Sequence, residues 1–367
     1  MTTKLIRCRR CLIPNTRPDT QFVDGVCSAC LFHDYQQEIN WAERKQDLVK
    51  LLERQKPNGT GYDCIVASSG GKDSHAQVMR LLELGVRPLL VTATTCMLTK
   101  LGRYNIDNLK RYASTIEVSP NQSVRAKLNY LGLTLVGDVS WPEHVSIFTT
   151  PMRMAVALGI PLVFYGENPQ TLYGGPLGSE KACQMTRRWV SEFGGFLGLR
   201  PVDVVGQEGI TAQDMKEYEF PTTAQIKRAG AEAHFLGQYL GPWDSHANAE
   251  KAIGAGMKWE APCSSSWWPW ENLDNAMTGL HDWMMYKKYG LSRCCAQLSV
   301  DIRFGRITRE AALVILAQKE KLFPEVYLGV HVREIEQRLG MSQHDLATTI
   351  DKFSNDFIEI KATEPAV

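Results

Sequence analysis

The sequence predicts an α/β protein built around a parallel, doubly wound sheet, with a cysteine-rich N-terminal module and a helical C-terminal region. From Tyr62 onward, short apolar runs alternate with helical segments, a pattern typical of βαβ units. Two Cys-x-x-Cys pairs precede this region, and helical patterns dominate from Asn275 onward. In such a fold, ligands bind at the carboxyl ends of the strands.

Composition and charge narrow the class of protein. The chain has 367 residues, 44% of them hydrophobic and 22% charged, which is ordinary for a globular protein of about two domains. Lys and Arg number 41 and Asp and Glu number 40, so no net field attracts nucleic acid or an acidic membrane. The sequence contains neither a signal-peptide pattern nor an apolar run long enough to span a bilayer. We therefore expect a cytoplasmic protein without a membrane partner.

The first element is a predicted zinc module. Cys8 and Cys11 form one Cys-x-x-Cys pair and Cys27 and Cys30 form the other, with the spacing of a four-thiolate Zn²⁺ site. Disulfides are not expected in a reducing compartment. Gly25 eases the tight turn before the second pair. Because four thiolates fill the coordination sphere, the metal is expected to fold the module rather than to act on a substrate.

The remaining elements follow in order along the chain. A charged amphipathic helix is predicted over residues 35–55 and ends at the Gly- and Pro-containing stretch 56–61. The predicted strands are 64–67, 89–93, 115–118, 162–165 and 233–236. The predicted helices are 74–84, 105–113, 143–158, 247–253 and 309–322, the third of them broken by Pro151. The predicted domains are a zinc module (1–34), a linking helix (35–56), a sheet domain (57–258) and a mainly helical C-terminal region (259–367).

The loop Ser69-Gly70-Gly71-Lys72-Asp73-Ser74 joins the first strand of the sheet to the first helix. The helix N-terminus, the two glycines, the hydroxyl groups and the lysine all favour a phosphate. Asp73 would repel a phosphate unless Mg²⁺ lies between them. The spacing differs from that of a Walker A motif, because Val66 stands where that motif has its first glycine. The loop therefore predicts a phosphate site with magnesium.

This loop resembles the S-G-G-x-D-S signature of the PP-loop ATP pyrophosphatases, which have an adenine nucleotide alpha hydrolase-like fold. It also follows a predicted strand and opens a helix, as that family requires. The cysteine-rich N-terminus and five other segments are similar to the N-acetyl sugar amidotransferases of bacterial O-antigen synthesis. These segments are Leu101-Gly102-Arg103-Tyr104-Asn105, Trp141-Pro142-Glu143-His144, Gly166-Glu167-Asn168, Pro242-Trp243-Asp244-Ser245 and Gly305-Arg306-Ile307-Thr308-Arg309-Glu310.

The resemblance implies an ATP-dependent, AMP-forming carbon–nitrogen ligase of lipopolysaccharide (LPS) O-antigen biosynthesis. Its substrate would be a nucleotide-linked N-acetyl sugar, whose acetamido group becomes an acetamidino group by O-adenylation and attack of ammonia. AMP and pyrophosphate would be released. ATP and Mg²⁺ would be held by Ser69, Gly70, Gly71, Lys72, Asp73 and Ser74. Lys72 and Asp73 would also act in catalysis, with Asp73 as a magnesium ligand.

Five further residues are candidates for the site. Glu167 and Asn168 directly follow the strand 162–165, so they should lie near the nucleotide, where Glu167 could hold magnesium or orient the acetamide. The alternative for this pair is a loop-capping role. Arg103 could pair with a phosphate of the nucleotide sugar, although exposed arginines without a ligand are commoner. Glu143 and His144 could contact the substrate or could stabilise the first turn of a helix.

The source of ammonia is expected to lie outside this chain. No cysteine lies in a Gly-x-Cys-x-Gly nucleophile motif. The resemblance therefore implies a separate glutaminase, with a cyclase-like subunit that carries the ammonia. One alternative is a PP-loop tRNA-modifying enzyme that thiolates or amidates a base, which would need a basic RNA-binding surface that the net charge of +1 does not favour. A non-enzymatic zinc-ribbon scaffold is the other. The sequence leaves open the sugar, its nucleotide and the oligomeric state.

Overall fold

The computed structural model of the protein describes residues 5–55, 59, 61–261 and 266–356. The strands are β1 Phe22–Val23, β2 Val26–Cys27, β3 Cys64–Ala67, β4 Pro88–Ala93, β5 Thr115–Val118, β6 Leu162–Tyr165, β7 Glu232–Phe235, β8 Val326–Tyr327 and β9 Val330–His331. The helices of the first half are α1 Ser28–Gln36, α2 Trp41–Arg54, α3 Lys72–Glu83, α4 Lys100–Leu109, α5 Gln122–Val136, α6 Trp141–Leu158 and α7 Pro169–Tyr173. Those of the second half are α8 Arg187–Phe193, α9 Thr223–Ala229, α10 Ser245–Gly254, α11 Thr278–Tyr289, α12 Arg293–Arg303, α13 Arg309–Lys319, α14 Val332–Leu339 and α15 Gln343–Phe353.

The central sheet has five parallel strands in the order β5-β4-β3-β6-β7. Ile65 of β3 lies opposite Leu89 of β4 on one side and Val163 of β6 on the other. The chain moves outward from β3 to β5, then returns to the other side of β3 with β6. This reversal is a topological switch point, where α/β sheets bind their ligands. The predicted parallel sheet is confirmed.

Alternate residues of each strand pack against helices on opposite faces of the sheet, as the two-residue period of a strand requires. On one face, Ile65 and Val163 belong to a core with Phe148 of α6. On the other face, Val66 packs in a core with Leu81 of α3. Layers on both faces make the sheet doubly wound, as the sequence predicts.

Several predicted helix limits are wrong. The helix predicted over 35–55 is two helices, because α1 ends at Gln36 and Asn40 starts α2 by accepting hydrogen bonds from the backbone N–H groups of Ala42 and Glu43. The break predicted at Pro151 is also wrong, because α6 continues through this proline to Leu158. Burial of Phe148 and Met152 of α6 against the sheet stabilises the helix despite the lost backbone hydrogen bond.

The sequence analysis did not predict helix α5, partly because this helix contains a glycine. Gly132 weakens the helical pattern, yet it lies where a Cβ atom would be 2.6 Å from the Asp138 carbonyl oxygen and 2.7 Å from Trp141 Cβ. Only a glycine allows this close contact between α5 and α6. Asn121 caps the helix by accepting from the N–H groups of Ser123 and Val124.

The C-terminal helices pack on the sheet domain rather than standing apart from it. Leu133 of α5 shares a buried core with Met277, Leu280, Ile335 and Leu346 of the C-terminal region. As predicted, this region is mainly helical, with the short hairpin β8–β9 inserted before α14. Within the described ranges, no helix combines the length and the apolarity that a bilayer crossing requires.

Candidate functional site

The loop between β3 and α3 lies at the carboxyl edge of the sheet, beside the switch point. Gly71 precedes the first residue of α3, and among the described residues no side chain caps this helix. The helix N-terminus is therefore available to an anion. Gly70 has φ +84°, and a Cβ there would lie 2.8 Å from Ile106 Cγ1 and 2.9 Å from the Ile106 nitrogen. Both the backbone conformation and the contact with α4 require glycine.

The loop lines a pocket with a volume of about 160 Å³. This volume is below the roughly 300 Å³ at the small end of ligand pockets, and it suits the phosphates of a nucleotide better than a whole nucleotide. The C-terminal region supplies much of the wall. The lining residues are Ser69, Gly70, Gly71, Lys72, Asp73, Ser74, Gly102, Asn105, Glu167, Tyr173, Trp270, Glu271, Asn272, Leu273, Asp274 and Arg293.

Lys72 is a buried cation between carboxylates. Its Nζ lies 2.6 Å from Asp73 Oδ2 and 3.2 Å from Glu271 Oε1, and its side chain is only 5% exposed. Burial by itself disfavours the charged form, but the negative charges of Asp73, Glu271 and Glu167 outweigh it and raise the pKa of Lys72. The ammonium group therefore stays protonated.

Both oxygens of the Asp73 carboxylate already have partners. Oδ1 accepts hydrogen bonds from Asn248 Nδ2 at 2.8 Å and from Trp243 Nε1 at 3.2 Å, while Oδ2 faces Lys72. In the described part of the chain, Asp73 does not belong to a group of three or more converging metal ligands. Mg²⁺ usually keeps several waters and takes only one or two protein carboxylates, so Asp73 could contribute a single ligand through Oδ2, which has one partner.

Glu167, the second residue after β6, lies in this pocket. Burial, together with the negative charge of Asp73, raises its pKa to about 7, although Lys72 opposes the shift. A carboxyl group that titrates near neutral pH can hold a cation when it is ionised and donate a hydrogen bond when it is protonated.

Three charged residues of this pocket come from the C-terminal region, and the sequence analysis missed them. Glu271 binds Lys72 and also accepts a hydrogen bond from Gln297 Nε2 at 2.7 Å. Burial raises the pKa of Asp274 to about 6. Arg293 is paired with Asp282 at 2.7 Å and contacts the Tyr173 hydroxyl at 3.2 Å. The only sequence signal was a pair of acids in the Trp- and Asn-rich stretch 267–275.

Four other candidates do not line the pocket. Asn168 is 1% exposed and caps α7 by accepting from the Gln170 N–H, while its Nδ2 donates to the Ser179 carbonyl oxygen. Arg103 lies on α4 and pairs with Glu117 at 2.6 Å and Asp107 at 3.2 Å. Glu143 forms a buried ion pair with Arg125 at 3.1 Å. His144 lies beside Asp138. Their predicted roles in binding stay predictions.

The four predicted zinc ligands converge at a second centre. Cys8, Cys11, Cys27 and Cys30 are fully buried, and their sulfur atoms all lie within 4.8 Å of one another. The N–H groups of Arg10, Cys11 and Cys27 point to Cys8 Sγ at 3.3–3.5 Å. Such N–H contacts stabilise a thiolate, so the cluster could hold one Zn²⁺ ion.

The cysteine centre packs directly on the C-terminal helices. Leu12 and Ile13 share a buried core with Leu298 of α12 and Leu316 of α13. Arg309 donates to the carbonyl oxygen of Cys11 at 3.2 Å. Because α12 also carries Arg293, the cysteine centre supports one wall of the pocket around Lys72.

Fold and pocket together define an α/β protein with a glycine-containing loop that lines a charged pocket at the switch point of its sheet. A family model described as "LPS biosynthesis protein WbpG-like, C-terminal domain" matches residues 264–366. The match covers less than a third of the chain and supports a role in LPS biosynthesis. Glu271, Asp274 and Arg293 lie within the matched segment. No curated protein matches the chain.

Proposed function

We propose that the chain is an AMP-forming amidotransferase of the PP-loop type that acts on a nucleotide-linked N-acetyl sugar in O-antigen synthesis. The observation that carries this proposal is the loop Ser69-Gly70-Gly71-Lys72-Asp73-Ser74, which opens α3 at the switch point and lines the charged pocket. The match of the C-terminal segment to an LPS biosynthesis family supports the pathway.

The chemistry begins at an unreactive carbonyl group. Donation of the nitrogen lone pair makes the acetamido carbon a poor electrophile, so the group must first be activated. The acetamido oxygen attacks the α-phosphorus of ATP, and pyrophosphate leaves. Ammonia then adds to the activated carbon, and AMP departs with the former acetamide oxygen. After loss of a proton, the product is an acetamidino group. Nitrogen replaces oxygen, and no oxidant or reductant is required.

The loop residues have separate roles in this proposal. The N-terminus of α3 and Lys72 bind the β- and γ-phosphates and stabilise the charge that develops on pyrophosphate. Asp73 would hold Mg²⁺, which would neutralise part of the phosphate charge. The pocket contains several carboxylates besides Asp73, among them Glu167 and Glu271, so a divalent cation would also offset their repulsion of ATP.

Glu167 is the residue best placed to act on the acetamide. It follows β6, which neighbours β3 at the switch point, and its pKa of about 7 lets both protonation states exist at neutral pH. In the ionised form it would hold Mg²⁺ or accept the proton that ammonia loses on addition. In the protonated form it would orient the acetamide oxygen by donating a hydrogen bond.

The described thiols support an external source of ammonia. A glutaminase needs a nucleophilic cysteine with a lowered pKa. Outside the four-cysteine centre, the described thiols have raised pKa values instead. Burial raises the pKa of Cys64, Cys96, Cys183, Cys294 and Cys295. We therefore propose that a separate glutaminase and an ammonia-conducting subunit supply this chain.

A direct assay tests the reaction class. The purified chain is incubated with ATP, Mg²⁺, an ammonium salt and a panel of nucleotide-linked N-acetyl sugars that carry a heavy oxygen label in the acetamide. We expect AMP, pyrophosphate and an amidine, with the label in the AMP. Formation of ADP would contradict the proposal. AMP formation that depends on tRNA instead of a sugar would favour the tRNA-modifying alternative.

A further inference from the structure

We propose that Asp138, His144 and His281 form a second metal site, separate from the four-cysteine centre, for a divalent transition metal such as Zn²⁺. Their ligand atoms all lie within 4.8 Å of one another. Asp138 follows the C-terminal end of α5, whereas His144 and His281 lie in the first turns of α6 and α11. Three elements that are separate in the sequence therefore converge on one point.

The two imidazoles face the same carboxylate. His281 Nδ1 lies 2.7 Å from Asp138 Oδ1, and His144 Nδ1 lies 3.0 Å from Asp138 Oδ2. The two rings meet edge to face, with their centroids 5.1 Å apart. Each oxygen thus has its own imidazole, and the same nitrogen of each ring points inward. This arrangement suits ligands of a shared ion as well as a hydrogen-bonded cluster.

The two histidines differ in how well their contacts with Asp138 are aligned for a hydrogen bond. His281 Nδ1 makes a hydrogen bond with Asp138. His144 Nδ1 is within ion-pair distance of the carboxylate, yet this buried nitrogen has no well-directed hydrogen bond to any residue that the structure describes. A buried polar atom without a hydrogen bond is costly, and coordination of a metal would remove that cost.

The surroundings hold the ligands in place and leave a path for an ion. Asp138 is 3% exposed, and its Oδ1 also accepts from the Ser140 N–H at 2.9 Å. Gly195 lies against the His144 ring, where an added Cβ would be 3.2 Å from Cγ. The His144 side chain is still 27% exposed, so an ion can enter from solvent. Such outer contacts orient metal ligands.

The donor set indicates the class of metal. Two imidazoles and one carboxylate suit Zn²⁺ and its first-row neighbours, whereas Mg²⁺ and Ca²⁺ prefer oxygen ligands. Three protein ligands leave at least one position open for water or a substrate oxygen, unlike the closed four-cysteine centre. Because His281 lies in the C-terminal region and His144 in the sheet domain, the ion would also bridge these two parts.

Metal titration of the full chain tests the site. Metal is removed with a chelator, and Zn²⁺ is added back in competition with a chromophoric indicator. We expect two equivalents for the wild type and one for His281→Gln or Asp138→Asn. The control is His246→Gln, which breaks a His–Asp pair of similar length, 2.8 Å to Asp301, that belongs to no three-ligand group among the described residues. It should keep both equivalents.

Cobalt gives a second measurement that needs no variant. Co²⁺ bound to four thiolates shows strong sulfur-to-metal charge-transfer absorption, whereas Co²⁺ bound to nitrogen and oxygen does not. We expect one equivalent in wild-type protein to add the charge-transfer band and another to add only ligand-field absorption. A single equivalent in the wild type would overturn the proposal, as would a second equivalent that persists in both His281→Gln and Asp138→Asn. Either result would mean that Asp138, His144 and His281 form a hydrogen-bonded cluster without a metal.

Discussion

The ammonium group of Lys72 lies 3.2 Å from the carboxylate of Glu271, so an ion pair joins the loop at the start of α3 to the C-terminal region across the pocket. Both side chains are largely buried, with exposures of 5% and 14%. The segment that matches an LPS biosynthesis family thus contributes charge at the loop itself. We expect the C-terminal region to be part of the active site.

Replacing Lys72 should affect both stability and activity. Lys72→Met leaves the carboxylates of Asp73 and Glu271 without their shared cation, and breaking such a buried pair costs about 3 kcal/mol. The double variant Lys72→Met/Glu271→Gln should recover much of the free energy of unfolding, measured with urea, but not AMP formation. If the double variant regained AMP formation, the proposed role of Lys72 in charge stabilisation would be wrong.

Gly70→Ala should abolish nucleotide binding while the protein remains folded. Its φ of +84° costs a non-glycine residue about 1–2 kcal/mol, and the new Cβ would collide with the α4 backbone at Ile106. The matched control is Gly85→Ala, where φ is +73° but no described atom lies within 4 Å of the added Cβ. Calorimetric titration with a non-hydrolysable ATP analogue should show binding only to the control. Equal binding by both variants would contradict the need for glycine in the loop.

The raised pKa of Glu167 predicts a pH-dependent stability of the protein without nucleotide or Mg²⁺. Because folding raises this pKa from 4.5 to about 7, the group stabilises the fold fully below pH 4.5 and loses this contribution as the pH rises through 7. Glu167→Gln should therefore match the wild type at low pH and exceed its stability above neutral pH, by up to about 3 kcal/mol.

Thermal unfolding across this pH range measures the difference. The control is Glu310→Gln on the exposed face of α13, which removes the same charge without burial and should show no such trend. A difference between Glu167→Gln and the wild type that does not change with pH would show that burial does not perturb the carboxyl group.

Loss of the four-cysteine centre should destabilise the C-terminal helices as well as the N-terminal module. Cys11→Ser is expected to remove one equivalent of zinc and to lower the free energy of unfolding by several kcal/mol, because metal binding and folding are coupled. Hydrogen exchange should increase in α12 and α13, which share the buried core with Leu12. Cys183→Ser, outside the centre, is the control. A metal-free protein of unchanged stability would contradict the structural role.

The strands and the loop could be predicted because local patterns determine them. The strand Cys64–Ala67 has the predicted limits, since an apolar run ends at Ser68 and the glycines follow. Glu271 and Arg293 could not be found in this way, because they reach the pocket only through the packing of the C-terminal region on the sheet domain. The contact of His281 with Asp138 is equally non-local, because the two residues are 143 positions apart in the sequence.

The last prediction concerns the nitrogen source. Since the described thiols outside the four-cysteine centre have raised pKa values, the purified chain should use ammonium but not glutamine. Its rate at fixed total ammonium should increase with pH, because only the unprotonated form carries the lone pair that attacks carbon. Addition of a glutaminase and its ammonia-conducting partner should restore glutamine use at neutral pH. The variant Glu167→Gln should abolish turnover with either nitrogen source. AMP and amidine are measured together by mass spectrometry. Glutamine-dependent turnover by the chain alone would contradict this prediction. In that case, loss of this activity in one of the Cys→Ser variants would identify the nucleophile.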